Sequence, residues 1–514
     1  MSADDASTDD LTTDDVIETQ PVADGSAASR RWRSIWRIHF YAGAFAMPFI
    51  VFMALTGLVI LYTQPLQDAT QGDLRTVDRG ASVVSYDEQA QNVEAAYPDF
   101  ALTSLTLPAD ATHSAIFGLD DGTDSGLQAF VNPYTGEVLG TKAPGSDVVG
   151  LANRLHGYLN NDAVTISLPS VGALWDDEPV MRDYVVGDLL LEVFGVWTLV
   201  LVMSGLYVWW PRRSANGGNE RNGRNPFKVR WSKKGRARWR DLHGLSGVIL
   251  FGLIAFTIIS GLAWSTYWGP NFTAFANAVT PNSWTDAPPS VLGERGDLDR
   301  LGNQIPWNTA DIPIPASYAT ATDGTLPAPI SLDSVVAIAR EEGMKPGYTI
   351  NFPGNVVDET TGDTVYGAFT LSNSWPRKTG EARDLFLDQF SGNTLAEQTG
   401  YGYGAISYSL DTMVSTHMGT QLGLFSRIMM TLLCVLAIWS VISASVMFWK
   451  RRRPGTLGIP RRPVDVRLAK RVSITAVVMA IIFPVWGLTA AIVLAFDKFV
   501  IRRTKKLSVA FGQK

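Results

Sequence analysis

Four histidines in this 514-residue sequence stand where they could hold a metal. His39 opens Arg37-Ile38-His39-Phe40-Tyr41-Ala42-Gly43, which runs into an apolar segment closing on Thr56-Gly57-Leu58. The chain writes the arrangement again 204 residues later as Asp241-Leu242-His243-Gly244-Leu245-Ser246-Gly247, closing on Ser260-Gly261-Leu262. The histidine, the glycine four residues on and the glycine eighteen residues on match at one offset without a gap, the mark of a duplicated unit. A second pair lies in Arg154-Leu155-His156-Gly157-Tyr158-Leu159 and Ser415-Thr416-His417-Met418-Gly419-Thr420. Neutral imidazole is the commonest side-chain metal ligand, and two imidazoles can hold a haem iron axially with no cysteine. Gly43, Gly247, Gly157 and Gly419 would let a flat macrocycle approach the backbone, although small residues equally permit close helix packing. The plainer reading is four polar side chains at span ends. His113, in Ala111-Thr112-His113-Ser114, has no counterpart and reads as a surface residue. The lone cysteine, Cys434, excludes disulfides, thiolate zinc sites and Cys-ligated iron–sulfur clusters.

The elements that must position these side chains are membrane helices. Phe40–Tyr62, Val185–Trp210, Leu245–Trp268, Leu422–Trp449 and Ser473–Phe496 are apolar runs, each long enough to cross a hydrocarbon core of about 30 Å. The net charge of −6 hides a strong asymmetry. Residues 212–240 carry eleven Lys/Arg against one acid and residues 450–471 nine against one, whereas residues 63–185 hold five bases and eighteen acids, and residues 268–420 seven and seventeen. Basic short loops stay cytoplasmic, so the acidic segments are expected outside. These basic runs are topology signals and not a nucleic-acid surface. The first 29 residues hold eight acids and no base, the composition of a disordered cytoplasmic tail.

The expected order is a tail (1–29), helix 1 (30–63), an outer domain (64–184), helix 2 (185–211), a basic loop (212–240), helix 3 (241–268), a second outer domain (269–415), helix 4 (416–450), a basic loop (451–471), helix 5 (472–497) and a basic tail (498–514). The fold class is therefore an α-helical membrane bundle of about five transmembrane helices bearing two extracytoplasmic α+β domains, with internal duplication. A single crossing by helix 5 leaves Lys498, Arg502, Arg503, Lys505 and Lys506 outside, against the charge rule, with Phe483-Pro484 marking a kink or re-entrant point.

Each outer segment reads as helix plus hairpin. In the first, Asp87–Tyr97 is helical, Leu127–Val131 alternates like a strand, and Asn132-Pro133-Tyr134-Thr135-Gly136 turns the chain back. In the second, Leu332–Glu342 is the helix, Asp384–Asp388 the strand and Gln389-Phe390-Ser391-Gly392 the turn, with Gly136 and Gly392 related by an offset of 256. Residues 281–330 read as a long surface loop, and about 21 extra residues in the first half as a loop over Ser167–Arg182. Asp188 and Glu192, near the outer end of helix 2, read as solvated interfacial acids or as a proton relay.

His-Phe-Tyr-Ala-Gly opening a span, Gly-Leu-Tyr-Val-Trp-Trp-Pro-Arg-Arg (Gly205–Arg213) closing one, and Asn-Pro-Tyr-Thr-Gly-Glu-Val-Leu (Asn132–Leu139) between them resemble the PepSY-associated transmembrane proteins over about residues 30–500. These are bacterial inner-membrane proteins that include ferric-siderophore reductases. The resemblance implies PepSY-type outer domains and, for the reductases, one or two b-type haems on His39, His156, His243 and His417; the charge pattern predicts an N-terminus in the cytoplasm. Arg37, Arg154 and Arg427 are near enough in sequence to meet haem propionates. The expected partners are the lipid bilayer, a ferric siderophore or similar chelate, and an electron donor, either quinol or a cytoplasmic flavoprotein. Electrons would pass from a haem between His39 and His243 to one between His156 and His417, and so to the chelate. The alternative is a non-enzymatic sensor or regulator whose outer domains bind peptides or proteases; a permease for iron chelates fits poorly, because the spans lack central charges and broken-helix pairs.

Overall fold

The computed structural model describes residues 27–122, 126–161, 163–174, 180–210, 227–232, 235–301, 305, 309–318, 326–373, 376–452, 457–459 and 466–511. The acidic stretch 1–26 and the Arg212 and Arg213 of the first basic loop lie outside them. In chain order the elements are α1 (Ala27–Leu61), α2 (Thr63–Thr70), α3 (Tyr86–Ala96), β1 (Ala101–Thr106), β2 (Ala115–Asp120), β3 (Leu127–Val131), β4 (Val138–Lys142), α4 (Val148–Tyr158), β5 (Thr165–Pro169), β6 (Met181–Val185) and α5 (Val186–Trp209). They continue with α6 (Arg236–Leu262), α7 (Trp268–Val279), α8 (Leu332–Glu341), β7 (Thr349–Asn351), β8 (Val356–Val357), β9 (Thr364–Val365), β10 (Ala368–Ser372), β11 (Arg383–Asp388) and β12 (Thr394–Thr399). The last are α9 (Ala405–His417), α10 (Leu424–Arg451), α11 (Val466–Ile482), α12 (Pro484–Phe496) and α13 (Lys505–Ala510). Five stretches are long and apolar enough to cross a membrane: Arg30–Leu61, Val186–Trp209, Arg236–Leu262, Leu424–Arg451 and Pro484–Ile501. The chain divides into two compact units, one of Met1–Phe45, Val200–Gly247 and Ser443–Lys514, the other of Ala46–Leu199 and Val248–Ile442.

The second unit contains the sheet. The two acidic segments, expected as separate domains, share one eight-stranded antiparallel sheet in the order β12-β11-β10-β7-β1-β2-β3-β4. Its two halves join at β1 and β7, where Leu105 pairs with Ile350 and Thr106 with Thr349. One core serves both halves: Val93, Leu105, Phe117 and Val131 pack in the same cluster as Val335, Ile350, Leu371 and Leu385. Full burial of such a side chain contributes about 1.5–3 kcal/mol, so separating the halves would cost several of these terms. The helices over the sheet also cap each other. Asp333 accepts the Tyr86 amide of α3 at 3.0 Å, and Asp87 accepts the Leu332 amide of α8 at 2.9 Å. Each helix thus receives its N-terminal carboxylate from the other half.

The hairpin turns at Asn132–Gly136 and Asp388–Gly392 have the same hydrogen bonds. Gly136 N donates to Asn132 O and Gly392 N to Asp388 O, both at 2.9 Å, and φ is +70° at Gly136 and +74° at Gly392. Glycine occupies both because a Cβ disfavours positive φ. Alternation along β11 sends Leu385 and Leu387 to the shared core and Phe386 to the other face, where it meets Trp284, Ile312, Ile314 and Tyr403. The segment expected as a surface loop over 281–330 therefore contributes buried side chains. The expected loop Ser167–Arg182 carries strand at both ends, β5 pairing with β6 from Thr165–Val185 to Pro169–Met181, and its residues 175–179 lie outside the described residues.

In the first unit, Trp32 Nε1 donates to the Val208 carbonyl at 3.4 Å, Arg451 stands over the Trp36 ring at 4.3 Å, and Arg230 pairs with the buried Asp241 at 2.8 Å. Helix 5, expected over 472–497 with a kink or re-entrant point at Phe483-Pro484, is broken there. Pro484 disfavours helical geometry at the residue before it, and Phe483 adopts φ −125°, ψ 79° between α11 and α12. A Cβ on Gly487 would lie 2.6 Å from that of Ala480, whereas seven residues of straight helix rise about 10 Å. The path therefore bends back on itself at Phe483. The chain end then returns to the Arg37 end of α1: the Arg37 guanidinium donates to the Phe511 carbonyl at 3.0 Å, Phe511 stacks on Tyr41, and Leu457 N donates to Ala510 O at 3.2 Å.

Candidate functional site

In the first unit His39 of α1 and His243 of α6 face each other with ring centroids 6.4 Å apart, at 64°. His39 Nδ1 lies 3.0 Å from the Leu201 carbonyl and 3.3 Å from Ser204 Oγ, both on α5. A carbonyl only accepts, so the His39 proton sits on Nδ1 and the Nε2 lone pair is left for a ligand. His243 Nδ1 is 3.0 Å from Ser443 Oγ on α10. A Cβ on Gly205 would come within 2.9 Å of His39 Cε1, so only glycine lets the ring lie there.

The second unit repeats the arrangement. His156, in the last turn of α4, and His417, the last residue of α9, have ring centroids 6.5 Å apart at 69°. Thr56 Oγ1 lies 2.8 Å from His156 Nδ1 and gives its own hydrogen to the Phe52 carbonyl at 3.0 Å. Ser260 Oγ lies 3.0 Å from His417 Nδ1 and donates to Thr257 O at 3.0 Å. With each hydroxyl hydrogen so committed, the oxygen accepts Nδ1–H and again leaves Nε2 to a ligand. Gly57 and Gly261 lie beside these rings, a Cβ there standing 3.4 Å from His156 Cε1 and 3.8 Å from His417 Cε1. Neither histidine sits on a crossing helix: α4 and α9 are separate short helices, and α10 begins only at Leu424, whereas helix 4 was expected to start at 416. Loss of water around the rings pushes His156 down to about 3 and His417 down to about 4, which keeps both neutral, as ligation needs.

These separations suit a metal held between two imidazoles. A metal–nitrogen bond of about 2 Å on each side, plus about 1 Å from nitrogen to ring centre, puts coaxial ring centroids roughly 6 Å apart. Among the described residues no group of three or more His, Cys, Asp and Glu could hold a metal. A metal at either pair would bring its remaining ligands with it, as haem does. Small residues suit a flat group: a Cβ on Gly157 or Gly247 would meet no atom within 4 Å. Gly43 instead packs on Leu201, and Gly419 on Leu61 and Arg427.

The arginines fall differently. Arg37 is buried and also donates to the Tyr41 hydroxyl at 2.9 Å. Arg154 holds Asn160 Oδ1 and the Gly145 carbonyl, at 2.9 and 2.6 Å. Arg427 is exposed on the first turn of α10. His113, expected on the surface, is part-buried between Asp110 at 2.8 Å and Asp68 at 3.4 Å. Glu192 is 3% exposed, not solvated at an interface.

Sequence reasoning found the four histidines and missed what orients them. The signal was available: Thr56 and Ser260 obey the same 204-residue offset as His39 and His243, so each stretch carries one histidine of the first pair and, seventeen residues on, a hydroxyl beside a histidine of the second. No curated protein matches the chain. The family model of the PepSY-associated TM region matches residues 36–451, a stretch that contains all four histidines and the hydroxyls that hold them. The chain belongs to the PepSY-associated transmembrane family, as a multi-pass membrane protein.

Proposed function

We propose that this protein is a haem-containing membrane oxidoreductase that carries electrons across the bilayer to a ferric chelate of the siderophore class. The observation that carries the reading is the pairing itself: four of five histidines meet two by two, at 6.4 and 6.5 Å, in separate units. His39 and His243 would hold one b-type haem, and His156 and His417 a second. When bound, such a group supplies a one-electron carrier whose potential follows its axial ligands and their hydrogen bonds. Leu201, Ser204, Ser443, Thr56 and Ser260 hold the imidazole planes and direct Nε2 toward the metal. A non-enzymatic anchor gives this arrangement no role.

Orientation follows from charge. The basic loops favour a cytoplasmic His39/His243 end and the acidic segments an outer location, as in a protein of the bacterial inner membrane. The return of Phe511 to Arg37 supports a cytoplasmic basic tail as well, in keeping with the charge rule. Quinol or a cytoplasmic flavoprotein would supply electrons there. Each half-sheet with its helix reads as one PepSY-type unit, the two related by duplication; the matched turns and the exchanged Asp87 and Asp333 caps support this. Reduction of iron(III) to iron(II) weakens its hold on hard oxygen chelators and releases it.

Proteoliposomes test the function. A reductant enclosed with the protein's cytoplasmic face should reduce an external ferric chelate, and His39→Ala and His417→Ala should each abolish transfer. Equal rates in protein-free vesicles would end the proposal.

A further inference from the structure

Two carboxyl groups in the second unit take no part in holding the histidines. Glu192 of α5 is 3% exposed, and its Oε2 accepts Ser265 Oγ at 2.8 Å and the Trp268 amide at 3.0 Å. Its Oε1 is buried with no hydrogen-bond partner among the described residues. Tyr184, at the end of β6, is 1% exposed, and its hydroxyl likewise has none. Tyr184 packs on Tyr267, ring centroids 4.9 Å apart, and Trp268, the residue after Tyr267, gives its amide to Glu192. Asp188 lies one turn before Glu192 on the same face of α5 and keeps part of its surface open. The titratable groups around the pair are these two carboxyls, Tyr184 and Tyr267; among the described residues no lysine or arginine forms an ion pair with either carboxyl. A buried carboxylate with an unused oxygen and no cation is costly, and ionisable groups on spans mark proton and ion paths.

The pair is built onto the elements that carry the second histidine pair. Gly187, beside Asp188, packs directly on the carbonyl of Tyr158, two residues past His156. Ser265, which holds Glu192, follows by five residues the Ser260 that holds His417. An added negative charge at the histidines therefore acts on carboxyls carried by the segments packed beside them, Glu192 in surroundings poor in water, where charges are felt strongly.

We propose that Asp188 and Glu192 form a proton site coupled to the His156/His417 site. The pair takes up one proton from outer water, through the part-exposed Asp188, for each electron delivered to that site. It returns the proton when the electron passes to the iron(III) of the chelate. Charge balances in both steps, and no further reactant is consumed. This rests on the haem reading above.

The full-length protein tests it. Its visible spectrum first establishes bound haem, so failure of the haem reading shows as colourless protein before protons are in question. The midpoint potential that survives in His39→Ala belongs to the His156/His417 site. It should fall with rising pH, approaching 59 mV per pH unit for one proton per electron. Glu192→Gln combined with Asp188→Asn should flatten that slope while both sets of haem bands persist. An unchanged slope in the double variant, or a potential that follows sodium concentration and ignores pH, overturns the proposal. Should the variant fail to fold, infrared difference spectra of the wild type decide: a protonated-carboxyl carbonyl band should grow on reduction, and its absence overturns the proposal.

Discussion

Leu201 offers His39 only a carbonyl oxygen, and Thr56 and Ser260 have already given their hydrogens to backbone carbonyls, so three of the four rings are held as Nδ1–H tautomers. Thr56→Val keeps the shape and removes the acceptor. Loss of such a partner costs about 10–100-fold in metal affinity, so haem at His156/His417 should be lost on dialysis while the other pair retains its own, and Thr56→Ser should restore it. Equal retention in Thr56→Val and wild type would sink the hydroxyl's role. His113 gives a separate check. Burial lowers its pKa, but Asp110 and Asp68 more than offset this, so the net shift is upward. Stability from this trio is fully present below the unfolded value of about 6.5 and is lost as pH rises through the folded value. The Tm difference between wild type and His113→Ala should therefore be largest in mild acid and shrink toward pH 9; one that grew with pH would contradict the ion pairs. Sequence singled out the histidines because residue types recur around them at a fixed offset. It could not show that Thr56 serves His156, since that contact joins positions 100 residues apart.

At the scale of elements, α4 must present His156 at a fixed angle. Asp147 caps it, accepting the Gly150 amide at 2.7 Å, and is itself held by Gln67 and Gln71 of the neighbouring segment at 2.9 and 2.6 Å. Asp147→Ala should cost about 1 kcal/mol in thermal unfolding and should loosen haem at His156/His417 without disturbing His39/His243. An effect on both pairs alike would mean that Asp147 acts by general destabilisation. The helices α3 and α8 and the strands β3 and β11 were readable from periodicity and turn residues. Strand β10 went unread, although Phe369-Thr370-Leu371-Ser372 alternates and sends Phe369 and Leu371 into the shared core. The joining of the two acidic segments was hidden, because β1 and β7 pair across more than two hundred residues and neither carries a mark of its partner.

At the scale of the whole molecule, apolar runs marked five candidate spans and the charge rule left one conflict, the basic tail, which a re-entrant bend at Phe483 would remove. Single cysteines at Lys505 and at Trp231, in a Cys434→Ser background, should label from the same face of sealed vesicles; labelling from opposite faces would restore a full crossing. The central claim is that each histidine pair holds a haem, and it is tested most directly by counting. Protein purified from haem-replete cells should contain two b-type haems per chain, with reduced spectra and magnetic signatures of bis-histidine ligation. His243→Ala should leave one haem and His243→Ala with His417→Ala none. Colourless wild-type protein, or a haem content that the histidine substitutions leave unchanged, would contradict the account.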